Sequence, residues 1–485
     1  MSQPVFQPGI FREYDIRGLA DKDFSTDFAR VLGRAYARTL THTTKTPAKG
    51  RKRLTVGIGR DCRLTSDKYG DALVTGITQE GLDVIRLGVD PTPLTYFSVF
   101  HLDLDGAIMV TGSHNPSEYN GFKICLGRDT LHGSQIQDLK KVVQSVLKEE
   151  AAEATKRPST GAVSDYEIIP PYIAHLLANA RPLKRKKIVI DAGNATASTV
   201  APELFRKLGA DVVELYCTLD GRFPNHHPDP TVLDNLKDLI ATVKREKADF
   251  GLAFDGDSDR IGLVDETGRA IFGDEMMVLF ARDILQEKPG ATIISEVKCS
   301  HRLYDDIAAK GGKGIMWKTG HSLIKAKMKE TGAALAGEMS GHMFFADRYF
   351  GFDDAIYAAL RVYEIASKAP GPLSTLLADL PQVLATPEIR LDCVEEKKFQ
   401  LVEVTKALLR KTGRPITDID GVRIGFERGW GLVRASNTQP VLVLRFEAET
   451  ETDMKTYRRT VETALNDAAL SIDHPKIDFS ASAGH

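Results

Sequence analysis

Short apolar runs alternate with amphipathic stretches along most of the chain. Leu54–Ile58, Val84–Leu87 and Ala107–Val110 come first, then Lys187–Ile190, Val212–Leu215 and Phe250–Phe254, then Thr292–Ser295 and Ala333–Ala336. Each run is short and rich in branched side chains, which predicts strands. Between them apolar residues recur at helical spacing, as at Leu73, Ile77 and Leu82 or at Leu236, Leu239 and Ile240. This alternation predicts βα units and mostly parallel sheets. The pattern changes near Thr386-Pro387. Asp420–Phe426, Gly431–Val433 and Val441–Phe446 read as an antiparallel meander, followed by a helix with Met454, Tyr457, Val461 and Leu465 on one face.

The earlier part contains a loose repeat. Each of three blocks opens with a strand running into a polar loop, at Gly59-Arg60-Asp61, Asp191–Asn194 and Glu296-Val297-Lys298. Each later delivers a second strand into another loop, at Thr111–Pro116, Asp255–Arg260 and Gly337–His342. The expectation is three related α/β domains over residues 1–160, 161–270 and 271–385, and an α+β domain over 386–485. Lys148–Asp165 reads as a linker and Ser480–His485 as a frayed end.

At 485 residues the chain is too long for one core. Lys plus Arg (64) nearly balances Asp plus Glu (66), so no bulk field favours nucleic acid or membrane. The basic run Ala48–Arg53 has no interleaved aromatics and reads as a solvated loop, as does Lys184–Lys187. Five scattered cysteines without a CxxC argue against a disulfide scaffold and a zinc site, and fit a reducing compartment. With no signal pattern and no apolar stretch of about 18 residues, the expected location is cytoplasmic.

The chemistry lies in the loops. The strand ending at Val110 leaves Ser113 exposed to attack in Thr111-Gly112-Ser113-His114-Asn115-Pro116. Gly112 admits close approach, Pro116 stops the strand and Asn120-Gly121 turns the chain back. Alone, this serine reads either as a turn cap or as a nucleophile. Asp255-Gly256-Asp257-Ser258-Asp259-Arg260 places carboxylates at alternate positions, and Gly256 lets the backbone curl so that they converge. Such a cluster calls for a cation. Oxygen ligands select Mg²⁺ or a similar hard ion, and only three of them leave room for water or a phosphate oxygen. Arg260 beside a carboxylate-held metal would neutralise a moving phosphoryl group.

In Gly337-Glu338-Met339-Ser340-Gly341-His342, Glu338 and Ser340 suit vicinal sugar hydroxyls. His342 and His321 can each titrate near neutrality as acid or base. Arg434, Ser436, Asn437 and Thr438 make a phosphate cradle with no nearby carboxylate to compete. In Phe11–Gly18, Tyr14 and Arg17 could meet a substrate or serve salt-bridged packing.

Together these loops resemble the α-D-phosphohexomutase family, in its bacterial phosphomannomutase/phosphoglucomutase branch. TGSHNP at 111–116, DGDSDR at 255–260, GEMSGH at 337–342 and RASNTQP at 434–440 follow the family's order, supported by FREYDIRG at 11–18, GRDCR at 59–63 and NGFK at 120–123. The resemblance implies three similar α/β domains with mixed sheets flanked by helices, and a C-terminal α+β domain like the TATA-binding-protein fold, around a central cleft. It implies a phosphoserine at Ser113 and one Mg²⁺ per chain on Ser113, Asp255, Asp257 and Asp259. Ser113, Lys123, Arg260, His342 and Arg17 would be catalytic, with the acid and base unassigned. Tyr14, Lys298, His321, Glu338 and Ser340 would bind the sugar, and Arg434, Ser436, Asn437 and Thr438 the phosphate that is not reacting.

The implied reaction is reversible conversion of hexose 1-phosphate to hexose 6-phosphate. A hexose 1,6-bisphosphate, intermediate and activator, turns end for end in the cleft. By the same resemblance Met339 goes with mannose and glucose, where glutamine goes with glucosamine. The implied protein is a monomer acting on a small phosphosugar, with no nucleic acid or membrane partner. Residues 41–53 and the C-terminus extend beyond relatives and carry no assigned function.

Other readings compete. A metal-dependent phosphatase would share the serine and the metal, but needs no second phosphate grip. A haloacid-dehalogenase-type mutase would use an N-terminal aspartate, and the Asp-rich loop here lies mid-chain. A non-enzymatic sugar-phosphate sensor would be expected to lose the serine or a metal ligand, and all four are present.

Overall fold

The first three sheets share one plan. The computed structural model describes residues 6–44, 46–47, 50–152, 160–437 and 439–479. In the first unit Asp83–Val89, Thr55–Arg60 and Gly106–Val110 run parallel in that spatial order, and Tyr119–Leu126 pairs antiparallel with the last. Asp211–Leu215, Lys187–Asp191, Phe250–Phe254 and Ile261–Asp265 repeat the order in the second. Lys313–Trp317, Thr292–Glu296, Leu335–Gly337 and Met343–Phe345 repeat it in the third. Each motif loop therefore joins the third strand of a unit to its antiparallel fourth. The sheets are mixed rather than mainly parallel because every unit ends in this hairpin.

Gly106–Val110 and Phe250–Phe254 are buried along their whole length, as expected for strands covered by helices on both faces. Burying one such Val, Ile or Leu contributes about 1.5–3 kcal/mol. A continuous apolar core runs from Leu94 and Phe97 through Ile190 and Leu204 to Phe280 and Phe345, and welds the three units together. The motif loops are thus held by one packed body.

The fourth unit is a meander of Val422–Phe426, Gly429–Ala435 and Val441–Ala448. Helices Lys398–Arg410 and Glu451–Ser471 pack on it around a separate core that includes Tyr457, Val461 and Leu465, with Met454 at its margin. It meets the third unit through Val297, Trp430 and Leu432. There the Arg423 guanidinium stacks 3.7 Å from the Trp430 ring centroid and donates to the carbonyls of Val297 (2.6 Å) and Cys299 (2.9 Å).

Several expectations are corrected. Residues 148–152 finish the helix Ser134–Ala152, because Glu149 and Glu150 pair with Arg38 and Arg30 of the helix Thr26–Thr43. Val163–Asp165 adds to the first sheet beside Asp83–Val89, so both ends of the supposed linker are structured. Residues 153–159, Ala48, Lys49, Thr438 and Ser480–His485 lie outside the described residues. The turn after Ser113 falls at Pro116–Tyr119, and Asn120-Gly121 belongs to the strand that follows. Arg51 is not freely solvated: it donates to the carbonyls of Leu102 (2.5 Å) and Asp103.

Candidate active site

Ser113 takes a left-handed φ of 49°, uncommon away from glycine. Its N–H donates to Thr111 Oγ1 at 2.8 Å. The residue is 2% exposed, and its hydroxyl donates to Asp255 Oδ2 at 2.9 Å from the neighbouring unit. In the 255–260 loop the left-handed residue is Ser258 (φ 60°), so the curl does not come from Gly256. Gly256 serves close approach: a Cβ there would lie 2.3 Å from the Ser113 carbonyl oxygen.

The three aspartates converge. One oxygen of each lies within 4.8 Å of the others, and all three residues are buried. Asp255 Oδ1 accepts the N–H groups of Asp259 and Arg260, both at 3.1 Å. Asp257 Oδ2 accepts the Thr92 hydroxyl at 2.5 Å and Lys123 Nζ at 2.6 Å. Lys123 also bridges to Asp259 from the strand Tyr119–Leu126. Burial opposes the Lys123 charge, yet Asp257 and Asp259 outweigh it and raise its pKa. Burial, then Asp259 and Asp257, push the Asp255 carboxyl well above the usual range.

One ammonium does not satisfy this cluster. Asp257 Oδ1 is buried and accepts no hydrogen bond from the described residues, an expensive state for a carboxylate oxygen, and Asp259 Oδ1 has only the imidazole Nε2 of His342, 3.3 Å away. Oxygen donors with unfilled acceptor capacity, beside a serine hydroxyl, fit a hard divalent cation such as Mg²⁺.

The sugar-loop residues adjoin this group. Arg260 Nε lies 3.3 Å from His342 Nε2, and that nitrogen lies 3.3 Å from Asp259 Oδ1. His342 Nδ1 meets Glu338 Oε2 at 2.7 Å. Burial works against a charged imidazole, but Asp259 and Glu338 overcome it and lift His342 to about 9. Glu338 is pulled down to about 2 against its burial, chiefly by His342, and its Oε1 accepts Gly320 N at 2.6 Å. Ser340 Oγ donates to Glu338 Oε2 at 3.3 Å. His321 behaves oppositely: burial, then Lys325 and His342, drive its pKa well down. The structure separates two histidines that sequence left equivalent.

Tyr14 joins three units. Its hydroxyl donates to Thr319 O at 2.7 Å and accepts from Asn437 Nδ2 at 2.8 Å. Arg17 lies behind the Ser113 loop, bonded to Asp15 (2.5 Å) and to the Gly112 carbonyl (2.9 Å). Lys298 and Arg434 each pair with a carboxylate of the fourth unit. Lys298 Nζ pairs with Glu388 at 2.9 Å, and Arg434 Nε with Asp420 Oδ2 at 3.0 Å. The cradle arginine thus does have a competing carboxylate, brought close by the loop before Val422–Phe426. Ser436 Oγ accepts Gln439 N at 3.1 Å.

Comparison with known proteins matches this arrangement part by part. Profiles described as phosphoglucomutase/phosphomannomutase alpha/beta/alpha domains I, II and III match residues 8–152, 170–268 and 272–384, and that for the C-terminal domain matches 388–464. The chain belongs to the phosphoglucomutase/phosphomannomutase family. Among its relatives, the phosphomannomutase/phosphoglucomutase of Pseudomonas aeruginosa is 44% identical over 472 residues, 97% of this chain and 98% of that protein. A phosphoglucomutase of Neisseria gonorrhoeae is 44% identical over 91% of this chain and 93% of its own. The crystal structure of a phosphoglucomutase/phosphomannomutase family protein from Burkholderia thailandensis superposes with a TM-score of 0.86 at 40% identity, covering 96% of this chain and 98% of that one.

For a phosphoglucomutase/phosphomannomutase family member, sequence reading passed over several residues around the motifs. Arg63 and Asp61 lay in a motif quoted without a role. Thr92 touches the aspartates from the first unit. Glu296 accepts the N–H of Met339 (3.2 Å) and of Lys298 (2.7 Å), supporting two loops from below. The Thr92–Asp257 and Met339–Glu296 bonds cross 165 and 43 residues, where local pattern carries no signal.

Among the described residues no helix is long and apolar enough to cross a membrane.

Proposed function

We propose that this protein is a phosphohexomutase that interconverts the 1- and 6-phosphates of glucose and mannose through phosphorylated Ser113. The observation that carries the reading is the Ser113 hydroxyl seated 2.9 Å from Asp255, in a buried three-carboxylate cluster where Asp257 Oδ1 has no hydrogen-bond partner among the described residues. Asp255, Asp257, Asp259 and Ser113 would hold one Mg²⁺, which draws charge from a phosphoryl group on the serine.

In the forward step the Ser113 Oγ–P bond breaks as a bond forms between phosphorus and O6 of the hexose 1-phosphate. The O6 proton is lost to a neutral acceptor. Ser113 Oγ leaves with negative charge, which Lys123 and Arg260 would offset, and takes up a proton to restore the hydroxyl. His342, held charged by Glu338 and Asp259, is a proton donor in this state, and His321, held neutral, is an acceptor.

Glu338 and Ser340 lie on one loop and would take the ring hydroxyls, and Met339 between them supports a glucose or mannose ring. Arg434, Ser436 and Asn437, with Thr438, would grip the distal phosphate. Such a cradle serves either end of a bisphosphate, so the same serine can take back the other phosphoryl group. Lys298 and Tyr14 would complete the lining, with Arg17 bracing the Ser113 loop through the Gly112 carbonyl, and a bound hexose 1,6-bisphosphate would keep the serine phosphorylated.

The test is a coupled assay of glucose 1-phosphate and mannose 1-phosphate isomerisation with parallel measurement of free phosphate. Isomerisation far exceeding phosphate release is expected. Phosphate released as fast as product would replace the mutase with a phosphatase.

A further inference from the structure

We propose that Arg63 is a positioning residue for phosphoryl transfer, clamping the backbone of the Ser113 loop against the unit that carries the aspartates. The assignment rests on the functional reading above.

A guanidinium has five N–H donors, and Arg63, with a fully buried side chain, uses all of them. Nε donates to Asp61 Oδ2 at 3.1 Å. Nη1 donates to the carbonyls of Pro116 (2.5 Å) and Tyr119 (3.1 Å), and Nη2 to those of Ser113 (2.6 Å) and Asn115 (2.5 Å). Four of its acceptors are thus backbone oxygens of the serine loop and its turn. Asp61, which orients Arg63, also accepts Gly112 N at 3.1 Å. A Cβ at Gly112 would lie 2.5 Å from the guanidinium carbon, so the glycine is what lets the clamp close.

None of these bonds uses Ser113 Oγ. The backbone is pinned from behind in its left-handed state while the reacting atom points to Asp255. The other side of Arg63 is covered by the second unit: the Phe223 ring centroid lies 5.1 Å from its guanidinium carbon, and Gly221 packs against its Cα. The nucleophile and the aspartates come from different units, so their relative position must be set by contacts between the units. Arg63 makes that contact on the serine side.

A misplacement of about 1 Å in a reacting group costs about 10²-fold in rate. Lysine, with three donors on one point, cannot span the same acceptors. The test measures kcat and KM for glucose 1-phosphate with Mg²⁺ and glucose 1,6-bisphosphate saturating. It adds the rate of Ser113 phosphorylation by intact mass and the circular dichroism of the variant. For Arg63→Lys the expectation is kcat and phosphorylation rate down about 10²-fold, with KM within about twofold of wild type and the folded spectrum retained. Asp61→Asn, which keeps the shape but removes the charge that orients Arg63, should lose kcat in the same way to a smaller extent. It carries the test if Arg63→Lys does not fold.

A folded variant with unchanged kcat, or one whose loss lies in KM alone, overturns the assignment and leaves the functional reading standing. Wild-type protein that neither isomerises nor takes phosphate on Ser113 overturns the reading, and the assignment with it.

Discussion

His342 and His321 have ring centroids 5.7 Å apart and opposite charge preferences. His342 is charged because Asp259 and Glu338 flank it, so its contribution to stability is full below about pH 6.5 and is lost as pH rises through about 9. In metal-free protein the His342 ring resonances should therefore titrate near 9 by NMR, and Glu338→Gln should move them to lower pH. An unmoved midpoint would mean that Glu338 is not the partner. Lys123 offers a second test at this scale. Lys123→Met leaves Asp257 and Asp259 without their buried cation and should destabilise metal-free protein by about 3–5 kcal/mol. Added Mg²⁺ should restore part of the thermal midpoint, because an ion that binds only the folded state stabilises it.

Asp354 caps the helix Ala355–Lys368 by accepting Tyr357 N at 2.8 Å, and also accepts the hydroxyls of Tyr172 (2.8 Å) and Tyr349 (2.6 Å). Burial lifts its pKa from 3.8 to about 6. The folded state thus prefers the protonated acid. Its contribution is full below the unfolded value and falls as pH rises through about 6, by up to about 3 kcal/mol. Asp354→Asn keeps the cap oxygen and, like the protonated acid, puts a donor toward the tyrosine hydroxyls, so it should gain thermal stability relative to wild type between pH 4 and pH 7. A constant difference across that range would contradict this account. At the level of elements, sequence was most informative where strands are buried on both faces, since Gly106–Val110 and Phe250–Phe254 are continuous apolar runs. It was silent on Lys313–Trp317, a partly exposed strand broken by Gly314. It misread 148–152 because the charges that look like a linker are the partners of a distant arginine helix. The motif loops were legible from their chemistry. The bonds that hold them, such as Thr92 to Asp257 or Asp420 to Arg434, join residues far apart in the chain and left no local trace.

One apolar core joins the first three units, while the fourth attaches through a small apolar cluster, Arg423 and polar ties such as Lys298 to Glu388 and Arg445 to Asp274. That division separates chemistry from distal phosphate grip. Arg423→Met should loosen the fourth unit, raising KM for the sugar phosphate while leaving Ser113 phosphorylation by saturating bisphosphate within about threefold of wild type. Equal losses in both would mean that the fourth unit supports the chemical centre directly. The proposed activity requires Ser113 to accept and return a phosphoryl group beside the aspartates. The most direct measurement is intact mass with peptide mapping of wild type and Ser113→Ala after exposure to glucose 1,6-bisphosphate and Mg²⁺, alongside isomerase activity. The expected result is a single phosphoryl adduct on Ser113 in wild type, with adduct and activity both abolished in Ser113→Ala. Full activity in that variant, or an adduct on another residue, would contradict it.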